Sequence, residues 1–182
     1  MRLADEILAI YEARGAAAYF GERVSVSEHG LQAAWFAQLQ RAAEPLVLAA
    51  LLHDIGHLLE TVPEALAEWT SDAHHEVVGG RWLARHFPPA VSEPVRLHVP
   101  AKRYLCATEP SYVAELSSAS VHTLGLQGGA MTASEMREFE SEPYHLDAVR
   151  VRRWDDQGKV AGLRTPDFAS YRPLIGRLAL VR

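Results

Sequence analysis

Leu46-Val47-Leu48-Ala49-Ala50-Leu51-Leu52-His53-Asp54-Ile55-Gly56-His57-Leu58-Leu59 is apolar almost throughout, yet it carries three ionisable side chains. Glu44-Pro45 restarts the chain just before it, and proline is tolerated at the first position of a helix. The run therefore predicts a helix that is buried on all sides. His53, Asp54 and His57 cannot stay unsatisfied in such surroundings without a cost on the order of several kcal/mol. On a regular helix His53 and His57 fall one turn apart on one face, with Asp54 about 100° round the axis. A carboxylate has two oxygens and can bridge two ions, whereas an imidazole normally holds one, so an adjacent His-Asp pair suits a dinuclear site. A bound cation would satisfy neutral imidazole and ionised carboxylate together.

The competing reading is a set of ordinary core histidines, the commoner outcome for any single one of the nine in this chain. A His-Asp pair inside an apolar helix, followed by lone histidines on two later helices, reverses that balance. Toward the N-terminus, Leu3, Ile7, Ile10 and Tyr11 recur at helical spacing and Gly15 offers a stop. Tyr19-Phe20-Gly21-Glu22 has no period, and Ser25-Val26-Ser27-Glu28 forms a capping box that places His29 in the first turns of a second helix.

Toward the C-terminus, Ser71-Asp72 precedes a helix holding His75, Trp82 and Leu83, closed by Phe87-Pro88-Pro89. Ser92-Glu93-Pro94 opens the helix that carries His98, and Pro100 predicts a kink or stop just after it. Ser111 to Leu126 reads as one further helix ended by Gly128-Gly129, and Thr132 to Glu135 forms a second capping box. Pro143 starts a helix carrying Asp155, Asp156 to Lys159 reads as a turn, and Phe168 to Leu178 as a last short helix. No strand signal exceeds four or five residues, so the expected class is all-α. Neither a repeat nor a linker divides the chain.

A chain of 182 residues suits one domain. With 48% hydrophobic and 23% charged residues it can build a core and remain soluble. A net charge of −5 gives no reason to expect nucleic acid as a partner, so an anionic ligand needs a local positive site, which metal ions can supply. Cys106 is the only cysteine, which rules out an intrachain disulfide and leaves His/carboxylate ligation; it reads as a small core residue. Acids at Asp5 and Glu6 stand where a signal peptide would begin its apolar run, and no apolar stretch reaches the roughly 20 residues of a membrane span. A cytoplasmic protein without membrane association is the expectation.

His29, then His53-Asp54, then a distant Asp155 resemble the H…HD…D signature of the HD-domain superfamily. The resemblance implies a single compact HD-domain helical bundle over residues 1–182, with a metal-binding core at about 19–159 and a C-terminal helix at about 168–179. It implies one metal held by His29, His53, Asp54 and Asp155, and another held by Asp54, His75 and His98. Such a mixed N/O shell suits iron without excluding manganese or zinc. Most HD proteins are metal-dependent phosphohydrolases, so hydrolysis of a nucleotide or phosphate ester stands as the alternative activity.

The flanking residues are narrower. Tyr19-x-Gly-Glu22, Ala50 to His57, His75-Glu76, His98 to Leu105, Ser120-x-x-Thr123, Gln127-Gly-Gly and Arg152 to Asp155 resemble the HD-domain mixed-valent di-iron phosphonate oxygenases. What this implies is a cofactor of two iron ions, Fe(II)/Fe(III), with O2 as co-substrate. The implied reaction cleaves the C–P bond of a 1-hydroxy-2-aminoethylphosphonate, or its N-methylated or trimethylammonio analogue, to a carboxylic acid and phosphate. The implied small-molecule partner is an organophosphonate made by a hydroxylase that installs the C1 alcohol.

The resemblance gives Tyr19 a gating place over the O2 site and gives Glu22 the amino end of the substrate. A phosphonate needs charge-assisted donors, and Lys102, His57, Ser120, Thr123 and Gln127 are the candidates. The last three are spaced to share one helix face. The competing readings are a solvated polar face for those three, a surface lysine for Lys102 and a packing residue for Tyr19. Arg152 and Trp154 read as structural or as supports for the ligands beside them, not as catalytic.

Overall fold

Every apolar stripe needs a partner, and helices supply all of them in the computed structural model, which describes residues 2–19, 22–59 and 74–181. Among the described residues the β content is one isolated bridge, Ala18 to Ser25. Helix α1 (Leu3–Arg14) ends at Gly15, and α2 (Val26–Leu39) begins with the expected capping box, Ser25 and Glu28 each bonded to the other's backbone. Every residue from Leu46 to Leu52 in α3 (Glu44–Leu52) is buried. Burying one such Leu or Val side chain contributes about 1.5–3 kcal/mol, which makes α3 the axis of the molecule. Helix α2 packs on one side of it, and α6 (Pro89–Thr108) on another; α10 (His145–Gln157) runs against both α2 and α6.

The expected single helix from Leu46 to Leu59 is two. α3 stops at Leu52, the chain turns through His53 and Asp54, and α4 (Ile55–Leu59) resumes. Next to the break, α5 (His75–Ala84) packs so close that a Cβ on Gly56 would collide with the carbonyl of His75. Within this turn His53 Nε2 and Asp54 Oδ2 lie 3.4 Å apart.

Helix α6 corrects two further expectations. It begins at Pro89, not at Ser92, and it runs through both Pro94 and Pro100 to Thr108. Each internal proline removes a ladder hydrogen bond, but α6 packs against both α5 and α10. The helix expected from Ser111 to Leu126 is likewise two, α7 (Tyr112–Glu115) and α8 (Ser118–Leu126), because Ser117 caps a new start by accepting from the amide of Ser120. Gly128 and Gly129 then end α8 with φ of +94° and +73°, a conformation glycine adopts without strain.

Helix α9 (Ala133–Ser141) carries the second capping box as expected. Asp155 lies near the end of α10, which starts at His145, two residues later than Pro143. The chain closes with a 3₁₀ turn, Phe168–Tyr171, and α11 (Arg172–Leu178). The expected helix start at Ser71-Asp72 lies outside the described residues. No helix among them is long and apolar enough to cross a membrane.

Candidate functional site

Five elements deliver the buried polar side chains to one place. His29 comes from the start of α2, His53 and Asp54 from the turn after α3, His75 from the first residue of α5, His98 from the middle of α6 and Asp155 from the end of α10. All six are buried. Their ligand atoms fall into two groups that share Asp54: His29, His53 and Asp54 on one side, and Asp54, His75 and His98 on the other. Asp54 Oδ1 lies 3.2 Å from His75 Nε2 and 3.5 Å from His98 Nε2. Its Oδ2 lies 3.4 Å from His53 Nε2 and 3.6 Å from His29 Nε2. The carboxylate is thus divided between the groups, one oxygen to each, as a bridging ligand requires. Asp155 joins the first group, with Oδ1 3.4 Å from His29 Nε2.

The hydrogen bonds decide whether these residues fit a metal. Nδ1 of His29, His53 and His98 lies 2.9, 2.8 and 2.7 Å from the carbonyl oxygens of Gly158, Ala50 and Val95. A carbonyl only accepts, so each Nδ1 holds a proton, and each of these rings, when neutral, presents its lone pair on Nε2. Yet His29 Nε2 and His53 Nε2 lie 3.0 Å apart, and His75 Nε2 and His98 Nε2 lie 3.1 Å apart. At that distance either a shared proton or a metal cation must lie between the two nitrogens of each pair. Two metal–nitrogen bonds of about 2.1 Å at a right angle span about 3.0 Å, so both separations suit a six-coordinate ion. Asp155 Oδ1 is buried and accepts no hydrogen bond among the described residues, which suits a metal ligand.

Electrostatics point the same way. Burial pushes the Asp54 carboxyl up, but the charge and hydrogen bonding of His53, with hydrogen bonds from His75 and His98, hold it well below the usual range. Burial likewise opposes ionisation of Asp155, and the charges of Arg152 and Lys159 overcome it. Both carboxylates are therefore ready-made anions. His53 is raised to about 9: burial lowers it, and Asp54 and Asp155 more than compensate. His57 is driven well below its ordinary value by burial and then by the neighbouring His75, whose ring it stacks on at 3.8 Å.

Tyr19 donates its hydroxyl to Asp54 Oδ2 at 2.7 Å and stacks on His29, ring centroids 3.9 Å apart. Its phenol is held well above its usual range by burial and by the Asp54 charge, so it stays a donor. Beside the metal ligands lies a cavity of about 40 Å³ lined by Tyr19, His57, Lys102, Ser120, Thr123 and Gln127, which are six of the residues expected from the sequence, and by Val99, Ala119, Arg152 and Lys159. Lys102, far from being a surface lysine, is 2% exposed, and burial, then the charge of Arg152, lowers it to about 7. It donates to Thr123 Oγ1 at 2.9 Å. The Thr123 hydroxyl itself lies 3.1 and 3.2 Å from the carbonyls of Ala119 and Ser120, so it orients Lys102.

Lys159 is the functional candidate that the sequence did not single out, and Arg152, read from the sequence as structural or as a support for the ligands, is placed against Asp155. Arg152 donates to Asp155 Oδ2 at 2.7 Å, to the hydroxyl of Tyr112 at 3.0 Å and to Ser120 Oγ at 3.3 Å, and pairs with Asp156. It leaves Asp155 Oδ1 as the oxygen available to a metal. Lys159 Nζ donates to Ser120 Oγ at 3.1 Å and lies 3.8 Å from Asp155 Oδ1. With both lone pairs of Ser120 taken, its O–H is left to donate into the cavity. The signal for Arg152 was its i, i+3 and i, i+4 spacing to Asp155 and Asp156; for Lys159, which follows the end of α10, spacing carries no direction. Glu22 does not line the cavity among the described residues. It stands behind Lys159, its Oε1 3.9 Å from Nζ.

A buried carboxylate shared between two His pairs, with a second Asp from the last long helix, defines the class. A model of the HD domain matches residues 26–155, and the chain belongs to the HD-domain family. Within it, the chain is 43% identical to the [1-hydroxy-2-(trimethylamino)ethyl]phosphonate dioxygenase (glycine-betaine-forming) of Leisingera caerulea, covering 93% of this chain and 86% of that one. It is 48% identical to the hydroxymethylphosphonate dioxygenase of Gimesia maris, covering 84% of this chain and 77% of that one. An uncharacterized protein of Acanthamoeba polyphaga mimivirus is 34% identical over 94% of this chain and 79% of its own.

Proposed function

We propose that this protein is a di-iron oxygenase that uses O2 to cleave the C–P bond of a 1-hydroxyalkylphosphonate, giving a carboxylic acid and phosphate. One O2 supplies both added oxygen atoms, one to carbon and one to phosphorus, and one proton is released. The observation that carries the reading is the pairing of two 2-His-1-carboxylate sets that share Asp54 with a cavity lined by buried cationic donors. Two histidines and a carboxylate on one face, leaving positions open, are the ligand set of non-haem iron oxygenases. The names of two relatives, both phosphonate dioxygenases, support the same chemistry.

The bound metal ions would supply the redox equivalents that activate O2 and a Lewis-acidic anchor for the substrate's C1 hydroxyl and phosphonate oxygens. His29, His53, Asp54 and Asp155 would hold one ion, and Asp54, His75 and His98 the other. The protein's part is then binding, orientation and exclusion of water. Lys102, held in place by Thr123, and the Ser120 hydroxyl, held in place by Arg152 and Lys159, meet the phosphonate oxygens. Gln127 and His57 complete the wall, and Gln127 Oε1 has no hydrogen-bond partner among the described residues. Tyr19 covers the His29/His53 side through its hydrogen bond to Asp54, so an arriving substrate that moves it opens that side only when the site is loaded. A hydroxylase that makes the C1 alcohol is the upstream reaction this substrate requires.

The test is anaerobic reconstitution with Fe(II), partial oxidation, and assay of phosphate release from 1-hydroxyalkylphosphonates with and without O2. O2-dependent phosphate with an equimolar carboxylic acid is the expected result. Phosphate released equally without O2, or only from phosphate esters, would assign the centre to hydrolysis, in which the same ions activate water.

A further inference from the structure

The substrates in the names of the two phosphonate dioxygenases differ in what C1 carries beyond the hydroxyl: a cationic trimethylammoniomethyl arm in one, only hydrogen in the other. In this chain the carboxylate that would meet a cationic arm, Glu22, is not on the cavity wall among the described residues; the ammonium of Lys159 is. Lys159 Nζ lies 3.9 Å from Glu22 Oε1 and its side chain is 11% exposed, whereas Glu22 accepts no hydrogen bond at Oε1. Lys159 is also built into place. The carbonyl of Gly158 accepts from His29 Nδ1, and the backbone of Val160 is bracketed by the Gln32 side chain at 2.9 Å on both its N–H and its C=O. Residues on both sides of Lys159 are thereby pinned to α2, and its side chain cannot swing away without breaking that stitching.

Resting on the function proposed above, we infer that Lys159, on the cavity wall between Ser120 and Glu22, determines specificity for the C1 substituent, favouring substrates in which that substituent carries no positive charge. It acts in two ways with one sign. It offsets the attraction of Glu22 for a cation, and it repels a substrate ammonium directly. Its attraction for the phosphonate is common to all substrates and cancels when two of them are compared.

The experiment measures Kd by titration calorimetry on metal-reconstituted protein for methylphosphonate and 2-aminoethylphosphonate, ligands that lack the C1 hydroxyl and do not turn over. Wild type is expected to bind methylphosphonate at least as tightly as the amine. Lys159→Met moves the Kd ratio toward 2-aminoethylphosphonate by tenfold or more, Lys159→Arg leaves it at the wild-type value, and adding Glu22→Gln to Lys159→Met reverses the shift. A ratio unchanged within threefold in Lys159→Met, or a wild type that already prefers the amine by tenfold, overturns the inference. If Lys159→Met does not fold, a Lys159→Arg ratio that departs from wild type overturns it too, while a preserved ratio together with a tenfold loss of the wild-type preference in Lys159→Gln supports it. Because no ligand turns over, a ratio shift without O2-dependent phosphate release would leave the inference standing and remove the proposed activity. Absence of binding by wild type would remove both.

Discussion

Replacing His98 with Ala asks whether the centre is two sites that share Asp54 or one indivisible cluster. His98 is 1% exposed. Its Nε2 faces His75 at 3.1 Å and Asp54 Oδ1 at 3.5 Å, and its contact with the other group is a ring edge against His53. A ligand that binds only the folded chain stabilises it by about 4.1 kcal/mol when present at about a thousand times its Kd. For a chain of this length each kcal/mol is worth roughly 2–4 °C in Tm. Two ions should therefore raise the wild-type Tm by roughly 16–33 °C, and the single ion left in His98→Ala by roughly half of that. The cost of the cavity left by the imidazole cancels, because each increment is measured within one protein. Metal analysis after anaerobic loading with Fe(II), together with melts with and without metal, reads both quantities. One equivalent and half the increment are expected. Two retained equivalents would show that His98 is not a ligand; loss of both would show that the sites do not fill separately.

Lys102→Met removes a charge-assisted hydrogen bond worth about 1.5–3 kcal/mol, so kcat/KM for a phosphonate should fall roughly 10- to 150-fold with iron content unchanged; lost iron would make Lys102 a structural residue instead. Burial and the Arg152 charge bring Lys102 to about 7, so in the free enzyme it is cationic below that pH and neutral above. Wild-type kcat/KM should decline as pH rises from 7 to 9, a limb that Lys102→Met should lack. Tyr19→Phe deletes the donor to Asp54 Oδ2, and O2 consumption without substrate should rise several-fold; an unchanged oxygen-electrode trace would show that Tyr19 does not cover the site. Gly56→Ala forces a methyl into the carbonyl of His75, and denaturant unfolding should show a loss of more than about 3 kcal/mol; a near-neutral result would mean that α5 can move away without disturbing its ligand.

What the sequence settled on its own was what its short-range chemistry dictates. The all-helical class follows from periodicity. Both capping boxes follow from the reciprocal bonds that Ser25 with Glu28 and Thr132 with Glu135 can make. The buried His-Asp pair is legible because an apolar helix cannot hold His53 and Asp54 without partners, and the family signature supplied His29, His75, His98 and Asp155. Pro100 does not stop the helix: Pro94 and Pro100 both sit inside α6, which packs against α5 and α10.

Tertiary structure alone decided where side chains aim. The break between α3 and α4 falls at His53 and Asp54, next to Gly56, where α5 packs so closely that the carbonyl of His75, 19 positions away, leaves no room for a Cβ. The division of Asp54, one oxygen to each His pair, depends on four elements meeting. Lys159 could not be assigned from spacing, since beyond the end of α10 no periodicity sets direction. Only the bonds from α2 to Gly158 and Val160 place its ammonium between Ser120 and Glu22. Sequence periodicity specifies which face of an element a residue occupies; where two faces meet is a property of the packed molecule.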